Sequence, residues 1–113
     1  MPFIRVTTNE KITKENADLL KMELGASIEC IKGKSEAWLM LEFKGGAMMA
    51  FSGSTAACAM VEVDLFGRAS DGDKEALTNS ICHVVSFVLD IPSDRIYVRY
   101  FEADTWGYNH ENF

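Results

Sequence analysis

The chain has 113 residues, 48% of them apolar, and a formal net charge of −6. That length predicts one domain over residues 1–113, and the acidic balance argues against nucleic acid and anionic membranes as partners, since both need a basic patch. No apolar run can span a bilayer, and Arg5, Glu10 and Lys11 interrupt any signal-peptide core. The expectation is a cytoplasmic protein with no membrane insertion, secreted, if at all, by a non-classical route.

Residues 2 to 8 alternate as a strand, with Ile4 and Val6 on one side and Phe3, Arg5 and Thr7 on the other. A helix follows from an N-cap at Thr13, with Ala17, Leu20, Leu24, Ile28 and Ile31 as its apolar stripe and Gly33 ending it. Trp38 to Phe43 reads as the second strand, Gly45-Gly46 as a turn, Met48 to Phe51 as a short extended piece and Ser52 to Thr55 as a loop. Cys58 to Phe66 is a third strand. Ser70, Asp71 and Asp73 signal the start of a helix running to Leu89, with Leu77, Ile81, Val84, Val85 and Val88 on one face. After Pro92, Arg95 to Phe101 is the fourth strand, and the aromatic tail from Trp106 to Phe113 has room for one more short pairing.

The order is β-α-β twice. Lys34–Phe43 lines up with Pro92–Phe101, and Pro2–Val6 with Ala59–Val63, so that 1–55 and 56–113 read as pseudo-repeats. Right-handed crossovers then give an α+β two-layer fold: a four-stranded mixed sheet with two helices on one face. Ile4, Val6, Leu39, Leu41, Phe43, Val61, Val63, Leu65, Ile96 and Val98 belong under the helices. The other face mixes Phe3, Trp38, Met40, Met60, Tyr97 and Phe101 with Arg5, Glu42, Glu62, Asp64 and Arg99. It is either the solvated back of an open sandwich or a face that meets symmetry mates around a partly wet interior, and its apolar content favours the second.

Cys30, Cys58 and Cys82 are odd in number and form no C-x-x-C pair, and His83 and His110 lack ligand spacing with them. Buried free thiols, with no metal and no cofactor, are the expectation. Pro2 carries a different kind of chemistry. If Met1 is removed, Pro2 presents a free secondary amine on a rigid ring, a general base or nucleophile that no internal residue can supply. Met-Pro is also simply a common start, so the dipeptide alone decides nothing.

Several segments, in order, resemble the macrophage migration inhibitory factor family of the tautomerase superfamily. They are Met1-Pro2, Thr7-Thr8-Asn9, Gly33-Lys34, Met49–Thr55, Arg95–Val98, and the ending from Gly107-Tyr108-Asn109 to Asn112-Phe113. The resemblance covers nearly the whole chain and implies a homotrimer around a central channel. It also implies keto-enol tautomerisation of phenylpyruvate-like aromatic 2-keto acids or dopachrome-like compounds, without cofactor. By it, Pro2 is the catalytic base and Lys34 the cation that lowers its pKa and holds the substrate carboxylate. Tyr97 is the pocket tyrosine supplied by a neighbouring subunit, and Phe66 stands where a backbone N–H meets substrate. Trp38, Tyr108 and Phe113 fall at aromatic pocket positions. Arg99 replaces the usual asparagine, and either enters the pocket or pairs with Glu62 or Asp64. The thiol-redox motif is broken, because Val61 stands at its second cysteine. Two alternatives stay open: a cytokine-like secreted module that binds a cell-surface receptor through a vestigial pocket, and a relative doing dehalogenation or decarboxylation of acidic substrates with Arg99.

Overall fold

The computed structural model describes residues 1–113. Four strands form one sheet in the order β2-β1-β3-β4, where β1 is Pro2–Thr8, β2 Met40–Lys44, β3 Ala59–Phe66 and β4 Ile96–Ala103. β1 runs parallel to β2, antiparallel to β3, and β3 parallel to β4. This is the mixed sheet expected from two β-α-β units. Helices α1 (Lys14–Ser27) and α2 (Asp71–Leu89) carry the two crossovers. A hairpin of β5 (Gly107–Tyr108) and β6 (Glu111–Asn112) closes the chain. No helix is long and apolar enough to cross a membrane.

The core is the layer between helices and sheet. Ile4, Val6, Val61, Val63 and Leu65 from the strands meet Leu20, Leu24, Leu77, Ile81 and Val85 from the helices, all at most 1% exposed. Period-two and period-3.6 patterns thus bury complementary faces, which is what holds the layers together. Leu41, Phe43 and Val98 are half-buried against the same cluster. Cys58 is buried, whereas Cys30 and Cys82 are only partly so.

Both helices start as their caps dictate. Thr13 Oγ1 accepts from Asn16 N at 3.1 Å, and Ser70 Oγ from Asp73 N at 3.1 Å. Their ends differ from expectation. The apolar stripe of α1 predicts a helix through Ile31, but the α-helix stops at Ser27 and tightens into a 3-10 turn over Ile28–Cys30. Ser27 Oγ donates to Glu23 O and lies 2.6 Å from Ser80 Oγ, tying this turn to α2, and the tighter turn satisfies carbonyls the last helical turn leaves open. The second helix ends on Asp90 in the left-handed conformation at φ 55°.

The second strand also begins later than Trp38. Glu36–Trp38 form a 3-10 turn, and the ladder with β1 starts at Phe3↔Met40. Pro2 has no N–H to donate, so the pairing cannot extend to the residues that would lie beside it. Trp38 is thereby lifted out of the sheet and left next to the N-terminus. Met48–Phe51 form no strand; a single bridge joins Phe51 to Ser54.

Candidate active site

The N-terminus of β1 meets three segments: the 33–38 connection, the end of β3, and the C-terminal hairpin. A hollow of about 300 Å³ opens between the N-terminus, the 37–40 segment and the tail, lined among others by Met1, Pro2, Trp38, Met40, Trp106 and Tyr108; Lys34, Phe66 and Phe113 stand outside its lining. Gly33, at φ +84°, lets the chain reverse after the 3-10 turn, and this brings Lys34 back toward the sheet. Lys34 Nζ donates to Phe66 O at 2.9 Å. Phe66 N donates to Met1 O at 3.1 Å. The residue expected to offer a backbone N–H therefore does sit beside the N-terminus, with that N–H engaged by Met1.

Electrostatics at this corner favour a neutral amine. Burial first, then the hydrogen bond and the positive charge of Lys34, lower the Met1 α-amino group from 8.0 to about 6. Each cause acts on position rather than on residue type, so an amine one residue further in, on Pro2, meets the same apolar wall and the same cation. While Met1 is attached, Pro2 nitrogen is a tertiary amide with a delocalised lone pair and is no base.

The wall is aromatic and continuous. Trp38 and Tyr108 meet edge to face at 5.3 Å and 87°. Tyr108 stacks near Phe113 at 6.5 Å, and Phe113 reaches Phe66 at 6.2 Å. The hairpin makes this possible. Asn109 and His110, at φ 50° and 74°, form the two-residue turn that reverses the tail, and Phe113 N bonds Trp106 O at 2.8 Å. Pro2, Lys34, Phe66, Trp38, Tyr108 and Phe113 are thus brought to one corner. Met40 and Trp106 join them without having been singled out. Trp106 lies in the aromatic tail, which was the only sequence signal for it.

Tyr97 and Arg99 lie elsewhere. Along β3, Pro2 pairs with Leu65 and Tyr97 with Met60, which separates them by about five residues, roughly 17 Å of strand. Tyr97 lines a second, larger hollow of about 540 Å³ with Met49, Phe51, Cys58 and Met60. Arg99 Nη2 donates to Glu62 Oε2 at 2.8 Å, and Arg5 bonds Glu42 at 2.8 Å and Glu62 at 3.5 Å. Of the two fates open to Arg99, the protomer shows pairing with Glu62. The open sheet face is thus a lattice of ion pairs flanked by exposed Met40, Tyr97 and Phe101.

Comparison with known proteins agrees with this architecture. The family model described as macrophage migration inhibitory factor (MIF) matches residues 1–111. The macrophage migration inhibitory factor of Meriones unguiculatus is 27% identical, over 100% of this chain and 99% of the relative, and that of Xenopus laevis is 24% identical over the same shares. The crystal structure of Leishmania major MIF2 superposes with a TM-score of 0.94 at 28% identity, covering 100% of this chain and 97% of that one. The homologue from Prochlorococcus marinus superposes at 0.87 and 27% identity, covering 98% of each chain. With a family model matching residues 1–111 and the whole fold in common with these proteins, the chain belongs to the macrophage migration inhibitory factor family.

Proposed function

We propose that the protein is a cofactor-independent keto-enol tautomerase of phenylpyruvate-like 2-keto acids or of dopachrome-like compounds, with the Pro2 amine as general base once Met1 is removed. Family membership supports a tautomerase-type function in general. The finer reading is supported above all by the setting of this corner, where burial and then Lys34 lower the α-amine of Met1 from 8.0 to about 6, the setting that Pro2 nitrogen enters as an amine once Met1 is gone.

The chemistry follows from the groups at hand. The neutral Pro2 nitrogen takes the proton from the carbon next to the keto group, and that C–H pair moves to form the enol double bond while the carbonyl pair moves to oxygen. The proton returns to that oxygen, or the sequence runs in reverse. Lys34 balances the substrate carboxylate and the developing enolate. Removal of Met1 does two things at once: it turns an amide into an amine, and it frees the Phe66 N–H, which Met1 O otherwise occupies at 3.1 Å. A donor is then available for a substrate oxygen. The edge-to-face Trp38–Tyr108 pair and Phe113 give an aromatic side chain an apolar berth.

Tyr97 enters this reading only across a subunit boundary, since its own protomer keeps it at the far end of the sheet. We therefore read the functional unit as a homotrimer whose neighbour supplies Tyr97.

The test is enol-to-keto conversion of phenylpyruvate by wild type and Pro2→Gly, with intact mass reporting the loss of Met1. Pro2→Gly exchanges the rigid secondary amine for a mobile primary one, and we expect the rate to fall by about 10²-fold, the lower end of what a positioned base contributes. A Pro2→Gly protein with the full rate, or an active wild type whose mass retains Met1, overturns the reading.

A further inference from the structure

We propose that Arg95 is the positioning residue of the Tyr97 end of the site: its guanidinium holds the 51–57 loop so that Phe51 braces Tyr97 and fixes how the substrate ring is received. This rests on the reading that Tyr97 completes the pocket of an adjacent subunit.

Arg95 closes the 3-10 turn Ser93–Arg95, two residues before Tyr97. Its side chain makes four hydrogen bonds, all to backbone carbonyls of one loop. Nε donates to Ala57 O at 2.9 Å, Nη1 to Phe51 O at 3.1 Å, and Nη2 to Ser54 O at 3.1 Å and Ala56 O at 3.0 Å. None of the ion pairs in the protein involves Arg95. A planar fork with five donors can span four carbonyls, which a lysine point charge cannot.

The loop it holds needs holding. Phe51 and Ser54 exchange backbone bonds at 2.9 and 3.0 Å across Ser52-Gly53. That turn puts Ser52 at φ 54°, in the left-handed region that a residue with a Cβ resists. Phe51 is gripped from two sides: the Arg95 guanidinium lies 5.2 Å from its ring centre, and Tyr97 packs on it at 4.6 Å with a 38° tilt. Phe51 and Tyr97 both line the 540 Å³ hollow, whereas Arg95 does not. Arg95 therefore acts on that hollow only through its neighbours. Its bonds reach no residue of α1, α2 or the buried core, so its removal frees one loop and leaves the layers packed.

The experiment compares wild type, Arg95→Met and Arg95→Lys as full chains. For Arg95→Met we expect KM for enol-phenylpyruvate to rise about tenfold, with kcat within about twofold and the pH inflection of kcat/KM unmoved. Arg95→Lys recovers part of the loss. Co-refolding Arg95→Met with Pro2→Gly should restore a component with wild-type KM, because one chain then lends its amine and the other its Arg95–Phe51–Tyr97 stack. A folded Arg95→Met with unchanged KM, a loss confined to kcat, or mixed assemblies with no wild-type component would each overturn the proposal. Should Arg95→Met not fold, Arg95→Lys decides the same split at about threefold. Failure of the tautomerase reading itself shows in wild type, as absence of turnover. Phenylpyruvate binding by NMR then replaces KM, with a tenfold weaker Kd in Arg95→Met expected and an unchanged Kd overturning the proposal.

Discussion

The two ends of the sheet are built by opposite means. At the Pro2 end, reactive groups come from chain segments with few backbone constraints: the N-terminus, the 33–38 connection and the C-terminal hairpin. What orders them is aromatic packing and one lysine, whose Nζ bonds Phe66 O at 2.9 Å. At the Tyr97 end there is no cation aimed into the hollow and no lowered amine. There the ordering is done by polar side chains that grip backbone: Arg95 on four carbonyls, and Asn9 on Thr55 O, Ala56 O and Cys58 N. On the proposed function, one end supplies chemistry and the other supplies shape. An oligomer that joins them puts a proton-transfer group and a shaped wall around one substrate, although neither protomer has both in one place.

The sharpest way to break this comparison is to silence the amine of the chemical end. Insertion of one alanine between Met1 and Pro2 leaves, after processing, an acylated proline, with the alanine carbonyl in the place that Met1 O holds on the Phe66 N–H. Turnover should fall by about 10²–10⁴-fold, well beyond the weaker phenylpyruvate binding that loss of one N–H donor brings. Turnover near wild type in this variant would show that the ring nitrogen is not the base.

Lys34→Met comes next. Without the cation the amine keeps the lowering that burial imposes but loses the part due to Lys34, so its pKa rises, and the carboxylate loses its partner. The sign follows from which form is active. The neutral amine is the base, so wild-type kcat/KM is full above the amine's lowered pKa and is lost as pH falls through it. In Lys34→Met the same loss begins at higher pH, so the deficit is largest near neutrality and partly recovered in alkaline buffer. We expect about 10–100-fold at pH 7. A pH profile of unchanged position would remove Lys34 as the source of the shift.

The sequence made the fold legible because period-two and period-3.6 patterns agree with the caps at Thr13 and Ser70, and because the two β-α-β halves repeat the same parity. The misplaced boundaries have local causes that a pattern does not carry. Trp38 continues the alternation of β2, but the missing N–H of Pro2, thirty-odd residues away, stops the ladder before it reaches Trp38. Ile28 continues the stripe of α1, but the hydroxyl pair of Ser27 and Ser80 belongs to tertiary structure. The site divides in the same way. Pro2 and Lys34 are legible as reactive types near turn signals. Arg95 is invisible as a loop clamp, because its partners are carbonyls, which every residue has.

At the Tyr97 end the effects should be smaller and of a different kind. Asn9→Ala removes three bonds to the 55–58 half of the loop and none to Phe51. We expect about 1–2 kcal/mol of lost stability by denaturant titration, with KM within about twofold. If KM rose as much as in Arg95→Met, the loop would act as a single rigid unit and Phe51 would have no special place in it.

Arg99→Leu is the smallest. The guanidinium is 65% exposed in the protomer and its partner Glu62 is 23% exposed, so the pair is a surface one, worth about 0–1 kcal/mol. Glu62 does not become an orphan on its loss, because Arg5 Nη1 already stands 3.5 Å from the same oxygen and can close on it. Stability measured in low and in high salt should therefore differ little between wild type and Arg99→Leu, and KM for phenylpyruvate should stay within about twofold. A large rise in KM with unchanged stability would mean that Arg99 leaves Glu62 when subunits assemble and turns toward substrate. The division into a chemical end and a shaping end would then be wrong on this one point, since the far end would carry a charge of its own into the pocket.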